Sequence, residues 1–196
     1  MHITIQSNPT PNNNEQLNHS RSTLLFAFYE NNLFVKTTEN SLIIPTPDDP
    51  ALRHLKIARK RFIGIINGHP SYTAELAEGT DRNNLPENLT LIGLRQLFGA
   101  VDDDIFWAAG RAFQIKNWDR DHQFCGRCGR PTRDKTDEIA KICPSCGYFS
   151  YPTMAPAVIV AVTKGNQILL ARNKQRPFKF YSVIAGFVES GESLED

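Results

Sequence analysis

From about residue 22 onward the chain alternates short apolar runs with polar breaks. The segments STLLFAFY, NLFVK, SLIIP and FIGIIN are rich in Leu, Ile, Phe and Val and are parted by Asn, Glu, Gly and Pro. That pattern predicts strands joined by tight turns, with a hairpin turn at the ENN between the first two. DDPALRHLKIARKR interrupts the strands and predicts a short helical segment, and AEGTDRNNLPEN is a loop by composition. Asp102, Asp103 and Asp104 then offer a capping side chain and early negative charge for a helix. Ile105, Phe106, Ala109, Ala112 and Phe113 share one helical face, so a helix is expected over about 104–118. Its aromatics, Trp107 and Trp118 included, are expected in the core. Further on, AVIVAVT and QILLAR flank the turn KGN as two strands, and YSVIAG reads as a third. The polar, Asn-rich stretch over 1–21 predicts a disordered tail.

All four cysteines fall in one segment. Cys125 and Cys128 form one CxxC, Cys143 and Cys146 form another, and fourteen residues lie between the pairs. Each pair predicts a tight turn that aims two sulfurs at one point, and Gly126, Gly129 and Gly147 permit the positive-φ backbone of such turns. Two facing turns give four thiolates in a tetrahedron, which suits a structural Zn²⁺ with no open coordination position. Disulfides would need an oxidising compartment that nothing in the sequence favours. A redox CxxC comes singly, at a helix start. Four cysteines can also hold an iron–sulfur centre, though the spacing is closer to that of a zinc ribbon. Arg127, Arg130, Lys135 and Lys141 would offset the site's negative charge or form an ordinary solvated basic surface.

Composition narrows the functional classes. The 196 residues carry 40% hydrophobic and 22% charged side chains and a formal net charge of +1. There is no strong field to gather nucleic acid or anionic lipid, no apolar run long enough to span a bilayer and no secretory signal at the N-terminus. Together with the thiol usage, this predicts a cytoplasmic protein without a membrane partner.

FCGRCG, CPSCGYFSYP, APAVIVAV and AGFVESGESLED together resemble the NADH pyrophosphatase (NAD(H) diphosphatase) branch of the Nudix hydrolases. The resemblance covers about residues 91–196 by motif and the first ninety by position. It implies an α+β protein: a mixed α/β N-terminal domain over 22–119, a zinc ribbon over 120–153, and the first strands of a Nudix α/β/α sandwich over 154–196. The Nudix box reads GX5EX7REUXEEXGU, with U aliphatic. Gly186 matches its first glycine and Glu192 its first glutamate, and SLED supplies four of the next seven residues. The expectation is therefore a chain cut inside the box helix. Lacking the REUXEE glutamates that hold Mg²⁺ or Mn²⁺ in the family, it would be inactive by itself. Glu189, Glu192 and Glu195 are expected as solvated acids and not as replacements.

By the same resemblance, Arg95, Glu138 and Tyr151 contact substrate, Phe187 stacks on a base or nicotinamide ring, and the main-chain carbonyl of Ala185 binds the divalent metal. Thr153 and Ala155 stand where the family commonly carries Arg and Asp, a local departure in polar contacts. The implied reaction is metal-dependent hydrolysis of NAD(H) to a nicotinamide mononucleotide and AMP, by a homodimer. Removal of an NAD cap from RNA is the same cleavage on a larger substrate. The alternative is a non-catalytic zinc-ribbon module that binds a protein or nucleic acid.

Overall fold

A computed structural model describes residues 4–6, 23–39, 41–52, 55–80, 85–86, 88–175 and 180–195. Of the tail expected over 1–21, all but residues 4–6 lies outside the described residues. The chain forms two compact units, Met1–Pro152 and Thr153–Asp196.

The first unit is built on a seven-stranded mixed sheet of β1 (Ile5–Gln6), β2 (Leu24–Tyr29), β3 (Asn32–Thr37), β4 (Leu42–Ile43), β5 (Ile57–Ile66), β6 (His69–Leu76) and β7 (Leu89–Gly93). The order is β1-β5-β6-β2-β3-β4, and β7 also pairs with β3. The β2–β6 pairing is parallel and every other pairing in this sheet is antiparallel. Two hairpins follow directly from local sequence. Glu30-Asn31 turns β2 into β3, with Glu30 at φ 53°. Asn67-Gly68 turns β5 into β6 with both residues at positive φ, as a type I′ turn requires.

The expected helical segment over DDPALRHLKIARKR is a correction. Among its described residues only Pro50–Leu52 is helical, as a single 3₁₀ turn, while Ile57 to Arg61 belong to the ten-residue β5. The strand wins because its alternating side chains find sheet partners in β6, which outweighs local helix propensity.

Strand alternation gives the sheet two apolar faces. Phe26, Phe28, Leu33, Val35, Ile63 and Ile66 point to one, where they meet Ala108, Ala109, Ala112, Ile115 and Trp118. Leu25, Ala27, Phe34, Ala74, Leu76 and Leu89 point to the other, covered by Ala51 and Leu52. The helix that covers the first face is α2 (Asp103–Asp121), reached through the short α1 (Leu94–Leu97). It runs past both ends of the expected 104–118. Its start differs from expectation: Asp102 is the N-cap, but only its carbonyl serves, accepting from Phe106 N at 3.0 Å, and its carboxylate makes no capping bond. Trp118 is in the core as expected, but Trp107 is 61% exposed. It lies one position off the buried stripe and rests edge-on against Phe106.

Near its C-terminal half α2 buries a lysine. Lys116 donates to Glu30 O at 2.6 Å and sits over the rings of Phe28 and Phe113. Burial pushes its ammonium pKa down.

The second unit carries β11 (Ala157–Val160), β12 (Thr163–Lys164), β13 (Gln167–Ile168) and β14 (Ile184–Phe187), after three ribbon strands introduced below. β11 pairs with β14, and β12 with β13 around Gly165. The three expected strands are present but short: QILLAR contributes only Gln167–Ile168 to β13. Ser190–Gly191 and Leu194–Glu195 are in turns, and Glu189 N donates to the Glu192 carboxylate at 2.9 Å. Among the described residues no helix is long and apolar enough to cross a membrane.

A four-thiol centre and the turn beside it

The ribbon begins where α2 ends. Two similar knuckles carry the cysteines. In the first, Cys125 N donates to Arg130 O and Gly129 N to Cys125 O, both at 2.8 Å. In the second, Cys143 N donates to Tyr148 O at 2.8 Å and Gly147 N to Cys143 O at 2.9 Å. Gly129 and Gly147 both sit at φ 71°, which closes each knuckle and which a side chain would strain. Between them run β8 (Arg133–Asp134) and β9 (Lys141–Ile142), and β10 (Phe149–Ser150) follows the second, in the order β10-β9-β8.

The knuckles face each other. Cys125 Sγ lies 3.6 Å from Cys146 Sγ, Cys128 Sγ lies 3.5 Å from Cys143 Sγ, and all four sulfurs are within 4.8 Å of one another. A tetrahedral Zn²⁺ with bonds of about 2.3 Å needs sulfurs about 3.8 Å apart. Disulfide sulfurs would be about 2.05 Å apart, and all four thiols are free. The donor set therefore fits one tetrahedral metal ion.

The sulfurs also differ in acidity. Burial pushes the Cys143 thiol up, but the N–H groups of Cys146 and Ser145 and the neighbouring thiols outweigh it and bring the pKa down to about 6. At Cys146 the Tyr148 N–H lowers the pKa, but burial and the three adjacent thiols push it up to about 12. Four anionic sulfurs cannot crowd together without a cation, so some must keep protons until a metal displaces them.

The loop between β8 and β9 carries Glu138, and β10 leads into Tyr151. The structure brings these two together: Tyr151 Oη donates to Glu138 Oε1 at 3.3 Å, and Lys135 Nζ reaches the same oxygen at 2.7 Å. The Tyr151 ring stacks on Phe149, and Lys135 lies over that ring at 5.2 Å. Tyr151 and Phe149 are exposed, beside a carboxylate whose side chain is 34% exposed.

The other site residues expected from sequence are spread out. Arg95 is exposed on α1, in the same compact unit. Phe187 is 72% exposed on β14, and Ala185 lies on the same strand opposite Ile159, both in the second unit.

Two basic residues correct the expectation of a solvated surface. Lys141 is 4% exposed and donates to Asp119 at 2.9 Å and Asp134 at 2.8 Å. Lys135 is tied to Asp137 and Glu138. No local pattern points to Arg61, whose guanidinium meets Asp119, Asp134 and the carbonyl of Ala140. Its partners lie 58 to 79 residues away along the chain, beyond any local pattern.

Two family models match the chain, both within its first compact unit. Residues 22–118 match the NADH pyrophosphatase-like rudimentary NUDIX domain, and residues 120–151 match the NADH pyrophosphatase zinc ribbon domain. The chain is 40% identical over 141 residues to a protein of Stutzerimonas stutzeri named NAD-capped RNA hydrolase NudC, covering 72% of this chain and 50% of that one. Proteins of the same name from Deinococcus radiodurans and Pseudomonas putida are 43% identical over 114 residues and 42% over 142. Those alignments cover 56% and 72% of this chain, and 41% and 50% of the relatives. The chain thus spans about half the length of the curated relatives it matches. With both domain types in tandem and a ribbon whose four sulfurs converge as described, this chain belongs to the NADH pyrophosphatase branch of the Nudix hydrolases.

Proposed function

We propose that this chain serves hydrolysis of the pyrophosphate bond of NAD(H), to a nicotinamide mononucleotide and AMP, with the same bond in NAD-capped RNA as the larger substrate. The observation that carries this reading is the pairing of Tyr151 with Glu138 beside an exposed aromatic stack on the ribbon. An aromatic face takes a planar base or nicotinamide, and a carboxylate takes a ribose hydroxyl or amide. The names of the NudC relatives supply the substrate class.

In this reading residues 22–119 are the N-terminal domain, 120–153 the ribbon and 154–196 the beginning of the Nudix domain. Cys125, Cys128, Cys143 and Cys146 hold one structural Zn²⁺. Arg95 contacts the substrate with Glu138 and Tyr151, Phe187 stacks on a ring, and the Ala185 carbonyl faces the catalytic metal. Mg²⁺ or Mn²⁺ supplies charge neutralisation on the phosphoryl oxygens and an activated water. Thiols held for a metal fit a reducing, cytoplasmic setting.

The test is an assay with Mg²⁺ or Mn²⁺ of two chains: the 196 residues alone, and a fusion continuing from Asp196 into the REUXEE segment and remaining Nudix domain of a relative. The fusion should convert NADH to reduced nicotinamide mononucleotide and AMP, and the 196 residues alone should be roughly 10³-fold slower or worse. A folded, zinc-loaded fusion that cleaves neither NADH nor NAD-capped RNA would refute the reading. RNA binding without cleavage would favour the ribbon as a binding module.

We further propose a homodimer. This reading rests on the resemblance to the family. Sedimentation should give a dimer. A monomer at tens of micromolar would contradict this.

A further inference from the structure

We propose that Arg61, on β5 of the N-terminal sheet, is a positioning residue for the turn of the ribbon that carries Glu138. The inference rests on the reading of Glu138 and Tyr151 as substrate contacts.

Arg61 is nearly buried, with its side chain 10% exposed and its guanidinium 4.9 Å from the Trp118 ring. Nη1 donates to Asp119 Oδ1 at 2.9 Å and to Asp134 Oδ1, while Nη2 donates to Ala140 O at 3.1 Å. That carbonyl also accepts from Lys135 N at 3.0 Å, which closes the loop between β8 and β9. Ala140 N in turn donates to Glu138 O at 2.9 Å. A short chain of hydrogen bonds thus runs from the sheet, through one fully buried residue, to the backbone of Glu138. The Glu138 carboxylate is then in place for Lys135 and Tyr151.

Charge balance alone does not call for an arginine here. Lys141 already gives both carboxylates an ammonium partner, at 2.9 and 2.8 Å. What arginine adds is a second planar donor arm, directed at Ala140 O, which a lysine cannot provide while also holding the carboxylates. β8 and β9 are two residues each, too short to fix the turn by themselves.

Arg61→Lys keeps the charge and removes the fork. In the zinc-loaded chain, hydrogen exchange at the amides of Lys135 and Ala140 should speed up about tenfold while exchange in β2 and β6 stays unchanged. In the active fusion described above, the same substitution should raise KM for NADH about tenfold with a smaller change in kcat. Glu138→Gln should do the same, and the double variant should be no worse than either single one. Unchanged exchange and KM in Arg61→Lys, or fully additive losses in the double variant, would overturn the inference. If Glu138→Gln and Tyr151→Phe leave KM unchanged while Arg61→Lys still loosens the turn, the substrate reading fails and the mechanical hold alone stands. Asp134→Asn, on a side chain 58% exposed, probes the same hold without emptying the buried cluster and should loosen the turn in the same direction.

Discussion

Cys128→Ser should abolish zinc binding and unfold the ribbon while leaving the N-terminal sheet intact. Elemental analysis of the native chain should give one zinc per chain, and of the variant close to none. The expected effect is large because the ribbon has little else to hold it. Its strands are two residues long, and a pairing that short is not stable alone. Structural zinc in small domains contributes on the order of 10–16 kcal/mol of apparent binding energy at pH 7, most of which is folding energy. A serine hydroxyl in place of one thiolate removes a quarter of the ligand set and leaves three crowded sulfurs. Hydrogen exchange should show loss of protection at the knuckle amides, Gly129 and Gly147, with β2, β3 and β6 still protected by their own core. Unchanged zinc content in Cys128→Ser would rule out the four-thiol centre.

Asp119→Leu should destabilise the first unit by about 3–5 kcal/mol, the cost of breaking a buried ion pair by removing one partner. Asp119 is 7% exposed and is the more enclosed of the two carboxylates that accept from Arg61 and Lys141. Without it two buried cations face each other, with Asp134 left as their shared carboxylate. Asp134 is 58% exposed, so solvent screens its share. Denaturant unfolding of native and variant chains measures the difference, and a change under about 1 kcal/mol would show that the cluster is incidental. The cluster should also respond to acid. Burial raises the Asp134 pKa, but hydrogen bonds from Lys141 and Arg61 outweigh it and hold the group below the usual aspartate range. A depressed folded value means the contribution is full above the ordinary aspartate pKa and is lost as pH falls through the lower folded one. Asp134→Asn should therefore flatten the acid limb of the stability curve.

The elements that could be anticipated from sequence are those whose signal is local. Ile105, Ala109 and Phe113 mark a helical face within three turns, and the core forms along it. STLLFAFY alternates into both faces of a sheet, and Glu30-Asn31 turns it back. The cysteines announce their convergence by spacing alone. What could not be anticipated depends on partners far along the chain. KIARKR has no strand pattern by itself, yet it becomes a strand because β6 lies beside it. Lys141 has the appearance of a surface cation until Asp119 and Asp134 are placed around it. Trp107 is misjudged by composition, since a position one residue off the buried stripe is enough to expose it.

The parallel pairing of β2 with β6 sets a timetable for synthesis. Leu24 pairs with Ser71, forty-seven residues later. At about 5–20 residues per second, a ribosome needs roughly 2–9 s to deliver that partner. During this interval β2 can close only on β3, which also takes up β4. The LLFAFY run, four of whose six residues end up buried, stays without cover, as a short apolar segment prone to pairing with a neighbouring nascent chain. The β5–β6 hairpin, turned by Asn67-Gly68, closes in microseconds once made. The emergence of β6 thus gives β2 its second edge partner, while the face of Phe26 and Phe28 still waits for α2.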